Sequence, residues 1–226
     1  MTSLNGYKAV LFDLDGVILD SMGHHAELWE EVLAEEGLHV SRDFILEHEG
    51  ALGPDILLKF MIEAGLVEEK PPDLNERMQK MLNRQARRYI AERAPLVRPY
   101  PLADEFLAAL ERIKLPCALV TSSRRDVVAG CLPDRLHKRF NALVTSEDVP
   151  RHKPYPDPYL SGAAALNLAP EACLVVENAP AGIAAARSAG ATCFAVTTTL
   201  PAERLSGAHS VFSGLDELAV HLGLEI

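Results

Sequence analysis

Short, continuous apolar runs punctuate this chain, and several of them stop abruptly on polar residues. Tyr7 to Phe12 is the first, and it ends on Asp13-Leu14-Asp15-Gly16. Its brevity and lack of polar alternation predict a strand buried on both faces. Cys117-Ala118-Leu119-Val120 is similar and ends in Thr121-Ser122-Ser123. Ala142 to Thr145 follows, then Cys173-Leu174-Val175-Val176, which ends in Glu177-Asn178. Cys193 to Val196 and Ser210 to Phe212 complete the series. Helix-length stretches separate the runs at Asp104 to Ile113, Pro156 to Leu166 and Ala181 to Ala189. Strands alternating with helices predict an α/β fold, a Rossmann-like parallel sheet with helices on both faces.

The segment from about Leu19 to Pro95 has a different texture. It carries charged, amphipathic helical patterns and no convincing buried strand. Between Ala26 and Glu36, Leu28, Trp29, Val32 and Leu33 form one apolar stripe, which makes Trp29 a core residue by expectation. Pro54 to Ala64 and Asn75 to Glu92 also read as helices, separated by Pro71-Pro72. The pattern predicts an inserted α-helical cap domain over residues 19–95. The core is then residues 1–18 and 96–226, rejoined through Arg98-Pro99-Tyr100-Pro101. Arg84, Arg87 and Arg88 share a helix face by spacing and are expected to be solvated.

Composition narrows the function classes. A chain of 226 residues with 48% hydrophobic content suits one large domain or a domain with an insertion. No apolar run reaches the roughly 18 residues of a membrane span, and no basic-then-apolar leader is present, so a soluble, cytoplasmic protein is expected. Cys117, Cys131, Cys173 and Cys193 form no CxxC pair and read as reduced thiols. A formal net charge of −10 argues against nucleic acid and anionic membranes as partners. It does not argue against a small anionic substrate, because the local field of a site matters more than the total. With no apolar seam outside the expected core, a monomer is expected.

The candidate chemistry lies at the strand ends. In open α/β sheets, ligands bind beyond the carboxyl ends of the strands. Asp13 falls there, and Asp15 follows two residues later. Such a pair can hold a hard cation, and one member can act as a nucleophile. Each polar group also has a plainer reading. The acidic pair could be a solvated turn, Thr121 a helix cap, Lys153 a surface lysine and Glu177 a solvated strand end. Their order and shared position at strand ends favour a site.

That ordered set resembles the haloacid dehalogenase superfamily. Asp13-Leu14-Asp15-Gly16-Val17 is similar to its first motif and Thr121 to its hydroxyl motif. Lys153-Pro154-Tyr155-Pro156-Asp157 is similar to its lysine motif, and Glu177-Asn178-Ala179-Pro180-Ala181-Gly182 to its last, acidic motif. A helical cap after the first motif resembles the β-phosphoglucomutase and phosphoglycolate phosphatase branch. The resemblance implies a phosphatase of a small phosphorylated metabolite, with Asp13 as nucleophile and Asp15 as acid and base. Asp15 must then keep its proton at neutral pH. Thr121, Ser122 and Lys153 would bind the phosphoryl group. Mg²⁺ would sit among Asp13, Asp15, Glu177 and Asn178. A sugar-phosphate mutase and a non-catalytic phospho-ligand binder are the alternatives.

Two departures from the family pattern matter. Asn178 stands where an aspartate is usual and brings no charge, so weaker metal affinity is expected. Gly53 stands where mutase relatives carry an arginine for a distal phosphate, which favours a hydrolase. His24 and His25 follow the hinge segment Asp20-Ser21-Met22-Gly23. His25 is the candidate substrate contact or proton relay, although a polar start to a cap helix is the reading favoured for the pair.

Overall fold

Strand β1 (Ala9–Phe12) is fully buried, and it is shorter than the run that predicts it because Tyr7 turns back to bridge Leu4. The computed structural model describes residues 4, 6–48, 58–59, 61–62 and 67–226. Beyond the loop carrying Asp13 and Asp15, the two-residue strand β2 (Leu19–Asp20) leads into helix α1 (Met22–Glu35). This helix starts four residues before the expected Ala26, because Met22, His25 and Ala26 all face inward. A buried histidine on the apolar stripe hides the first turn from a periodicity reading.

Helix α2 (Arg42–His48) is unpredicted. It buries only Ile45, too little to create a periodic signal, and is capped by Ser41, whose Oγ accepts the Phe44 N–H at 3.2 Å. Of the helix expected over Pro54 to Ala64, only residues 58–59 and 61–62 are described, and these are helical. Gly53 lies outside the described residues. Helix α3 (Leu74–Arg88) buries Leu74, Met78 and Met81 and runs into a π turn at Tyr89–Arg93. The arginine face of α3 is a correction to expectation. Arg84 pairs with Glu35 at 2.9 Å and Glu36 at 2.5 Å, and Arg88 with Glu31 and with Glu35 at 3.0 Å. These cations meet the glutamates of α1 along the helix seam; Arg87 remains exposed.

Strand β3 (Arg98–Pro99) pairs antiparallel with β2, so the two chain crossings between cap helices and sheet form one small ribbon. The core then continues as α4 (Ala103–Arg112), β4 (Cys117–Val120), α5 (Arg125–Cys131), α6 (Asp134–His137) and β5 (Ala142–Val144). After it come α7 (Asp157–Ala165), β6 (Cys173–Glu177), α8 (Pro180–Ser188) and β7 (Thr192–Val196). The chain finishes with β8 (Ser210–Phe212) and α9 (Leu215–Leu222).

The sheet has the parallel order β5-β4-β1-β6-β7-β8. Alternation along β1 sends Val10 and Phe12 into one core with Phe106 and Leu218, and Ala9 and Leu11 into the other with Tyr159 and Ile183. Register then positions the chemistry. Phe12 pairs with Leu119 on one side and Val176 on the other, so Asp13, Thr121 and Glu177 emerge side by side at the carboxyl ends. The four cysteines are buried and unbridged. Among the described residues, no helix is long and apolar enough to cross a membrane.

Candidate active site

Asp13 is the first residue beyond β1, and its N–H still donates to Val176 C=O at 3.0 Å, which fixes the backbone under its side chain. Lys153, brought in by the loop before α7, donates from Nζ to Asp13 Oδ1 at 2.5 Å and to Glu177 Oε1 at 2.7 Å. Tyr159 donates its hydroxyl to the same Glu177 oxygen at 2.7 Å, and its ring centroid lies 5.0 Å from Nζ. Glu177 Oε2 accepts the Asn178 and Ala179 N–H groups at 2.9 and 3.2 Å. All four side chains are buried.

Burial pushes the Asp13 carboxyl up to about 7. Lys153 opposes the rise, while the Glu177 and Asp15 charges add to it. Lys153 is itself held protonated: burial works against its charge, but Asp13 and Glu177 more than restore it.

Asp15 shows the opposite balance. Burial alone would raise its carboxyl, but the neighbouring His25 and hydrogen bonds from His25, Ser21 and Ser123 hold it down at about 2. Ser21 Oγ donates to Oδ1 at 2.6 Å, and His25 Nε2 lies 3.2 Å from the same oxygen. Ser123 Oγ donates to Oδ2 at 2.7 Å. The expectation that the site keeps Asp15 protonated is therefore not met in this geometry, because His25, Ser21 and Ser123 all favour the carboxylate. The polar-start reading of the histidine pair is also corrected. His25 is buried in the first turn of α1, 3.3 Å from Gln85 Nε2 and stacked on Tyr89 at 4.0 Å, whereas His24 is partly exposed.

Thr121 does not cap α5. Its Oγ1 accepts the Ser123 N–H at 3.0 Å, while Arg124 occupies the N-cap position of the helix. This folds the loop so that Ser122 lines the cavity. Ser122 Oγ is buried without a hydrogen-bond partner. An unsatisfied buried hydroxyl costs about 1–3 kcal/mol, so a ligand oxygen at that point would gain a ready partner. The cavity measures about 580 Å³. Its floor is Asp13, Asp15, Thr121, Ser122, Lys153 and Asn178; Trp29, Met78, Leu82 and Gln85 face them from the cap helices. Trp29 is thus both a buried core residue and part of the cavity wall.

The expected metal ligands divide. Glu177 is fully engaged by Lys153, Tyr159 and two backbone N–H groups, and it cannot reach a cation without giving some of them up. Asp13, Asp15 and Asn178 all line the cavity. These are hard oxygen donors of the kind magnesium takes. Among the described residues, no group of three His, Cys, Asp or Glu side chains forms a metal site. The charge balance nevertheless fits a cation, since Lys153 faces both Asp13 and Glu177, and Asp15 is buried in the same cavity against His25.

Sequence reading missed Ser21, Ser123, Tyr159 and Gln85. Ser123 lay within the strand-end triplet and Ser21 within the hinge segment, so both were visible as polar neighbours. Tyr159, on a helix six residues after Lys153, reads as ordinary core.

The sequence profile described as Haloacid dehalogenase-like hydrolase matches residues 10–196. The chain is 32% identical to Hexitol phosphatase A of Escherichia coli (strain K12), covering 94% of each protein. It is 32% identical to Beta-phosphoglucomutase of Bacillus subtilis (strain 168), covering 81% of this chain and 80% of that one. The crystal structure of a hydrolase from Pseudomonas syringae superposes with a TM-score of 0.82 at 25% identity, covering 96% of this chain and 98% of the other. With its four motifs gathered in one cavity, three at strand ends and Lys153 on the loop before α7, the chain belongs to the haloacid dehalogenase-like hydrolase family.

Proposed function

We propose that this chain is a magnesium-dependent phosphatase that hydrolyses a small phosphorylated metabolite through an aspartyl-phosphate on Asp13. The chain is a phosphoric monoester hydrolase of its family. The observation that carries the finer reading is the Asp13 carboxylate held 2.5 Å from Lys153. The same cavity contains the partnerless Ser122 hydroxyl.

Asp13 attacks phosphorus, forming a carboxylate O–P bond as the P–O bond to the substrate alcohol breaks. Asp15 delivers a proton to the departing oxygen, then takes one from the water that attacks the aspartyl-phosphate and returns Asp13. Lys153 offsets the charge of Asp13 and the phosphoryl oxygens, while Thr121 and Ser122 hydroxyls hydrogen-bond those oxygens. An arriving phosphate dianion raises Asp15 by like-charge repulsion, bringing it toward the proton-carrying state this role needs. Magnesium held by Asp13, the Asp15 carbonyl and Asn178 would supply further neutralisation of the phosphoryl group.

The cavity wall supports a substrate with one phosphate and an uncharged body. Among the described residues, the cap side contributes Asn75, Gln79 and Gln85 amides beside Trp29, Met78 and Leu82, with no lysine, arginine, aspartate or glutamate. Arg124, at the core side, is tied to Asp126 and Asn83, each at 2.8 Å. Amides beside apolar groups suit the hydroxyls and carbon skeleton of a sugar or sugar alcohol.

The test is phosphate release from sugar, sugar-alcohol, glycolate and nucleotide monophosphates across a magnesium titration. Magnesium-dependent release, greatest for sugar or sugar-alcohol monophosphates, is expected. Isomerised product without net phosphate release would establish the mutase reading. Thermal stabilisation by ligand with no turnover would establish the binding protein.

The pH profile offers a second test. Asp13 must be ionised to attack, and its carboxyl sits up at about 7 without metal. Protonation then removes the nucleophile as pH falls through that value, so kcat/KM at limiting magnesium should rise with pH through about 7. A cation on Asp13 favours the ionised form, so saturating magnesium should move this acidic limb to lower pH. A limb that stays in place across the titration would count against a metal shared with Asp13.

A further inference from the structure

We propose that Thr199, in the loop after β7, is a positioning residue that orients the single oxygen of Asn178 toward the metal. This inference rests on the magnesium reading above and extends it to a residue outside the four motifs. A carboxylate at position 178 would present an oxygen whichever way it turned. An amide has one oxygen, and its NH₂ group repels a cation, so Asn178 serves as a ligand in only one of its two orientations.

The structure has the amide in that orientation. Asn178 is 1% exposed, so its NH₂ group has no bulk water to turn to. Nδ2 donates to Thr199 Oγ1 at 2.7 Å. Gly16 closes the other side of this contact. It has φ +88°, and a Cβ there would lie 2.0 Å from Asn178 Nδ2 and 2.6 Å from Thr199 Oγ1. The nitrogen branch of the amide is thus wedged between Thr199 and the catalytic loop. The oxygen branch is left for the cavity that Asn178 lines with Asp13 and Asp15. Thr198 steadies the arrangement, since its hydroxyl donates to the Gly16 carbonyl. One threonine therefore holds the loop of the nucleophile and the next orients the amide.

The distinctive consequence is non-additivity. Thr199→Val keeps the shape but removes the acceptor, leaving a buried NH₂ group unsatisfied or free to turn over. With Asn178 present this should weaken magnesium binding about tenfold, the equivalent of ~1.4 kcal/mol. With Asn178→Asp the same change should cost less than about threefold, because either carboxylate oxygen can face the cation. Asn178→Asp alone should tighten binding. The readout is calorimetric titration of Mg²⁺ alone into metal-free wild type, Thr199→Val, Asn178→Asp and the double variant. Thr199→Ser, which retains the acceptor, should bind magnesium like wild type. Thr199→Ala, which shortens the side chain, should match Thr199→Val and substitutes for it if the valine variant does not fold. Equal losses in both backgrounds, no loss in either, or failure of the serine variant would overturn the role of Thr199 while leaving the metal reading intact. No magnesium binding by folded wild type would overturn both.

Discussion

Asp13→Asn should reduce turnover about 10⁴-fold or more while leaving a protein at least as stable as the parent. The two halves of this expectation have separate causes. An amide of the same shape cannot form the aspartyl-phosphate, so loss of turnover follows from the chemistry. Stability follows from burial, which makes the Asp13 charge unfavourable up to pH about 7. A carboxyl raised by folding binds its proton more tightly in the native state than in the unfolded chain. It therefore detracts from stability as pH rises from the ordinary carboxylate range through about 7. The neutral amide does not titrate, and Lys153 keeps Glu177 as its partner at 2.7 Å. Phosphate release with magnesium, and thermal melting of the metal-free protein above pH 7, check the two halves. Substantial residual turnover would remove Asp13 as nucleophile, and a markedly lower Tm would show that its charge is structurally required.

Gly182→Ala should be the most damaging single methyl group near the site. A Cβ there would lie 1.6 Å from Glu177 Oε1, 2.0 Å from its Cδ and 2.5 Å from Oε2. Glu177 cannot retreat without giving up Lys153, Tyr159 or its two backbone donors. The alternative is displacement of α8 from the sheet. Breaking a buried charge pair costs about 3–5 kcal/mol, and that is the size of destabilisation expected in urea unfolding. Activity should fall with it, because Lys153 loses the carboxylate that aims it at Asp13. A variant within about 1 kcal/mol of the parent and fully active would show that the Glu177 cluster has slack the structure does not display.

The strand ends were legible because burial on both faces leaves a clear signal. A continuous apolar run reports its own length, and the first polar residue after it marks where solvent or ligand begins. Asp13, Thr121 and Glu177 were found this way, and register places them together. Helices α4, α7 and α8 came through within a residue or so at each end. Legibility failed where polar groups face inward or where elements are too short for a period. His25 occupies the buried stripe of α1, so the helix was read as starting later. Tyr159 puts an aromatic ring in the core and only its hydroxyl on Glu177, and the sequence sees the ring. Thr199 sits in a run of three threonines that carries no periodicity, and its role depends on the distant Gly16 and Asn178. The arginines of α3 looked solvated because their partners lie about fifty residues earlier in the chain, as the separations of 48 and 53 positions show.

The hydrogen bonds of Asp15 come from two bodies. Ser123 lies in the loop after β4, whereas Ser21 and His25 lie beyond the β2–β3 ribbon, just before helix α1 and in its first turn. Tilting the cap helices on that ribbon would strip Asp15 of two partners and leave it one. On the proposed mechanism, the carboxylate that carries the proton is thus also a tie between helix α1 and the loop after β4, and a substrate that drew Asp15 toward itself would loosen that tie.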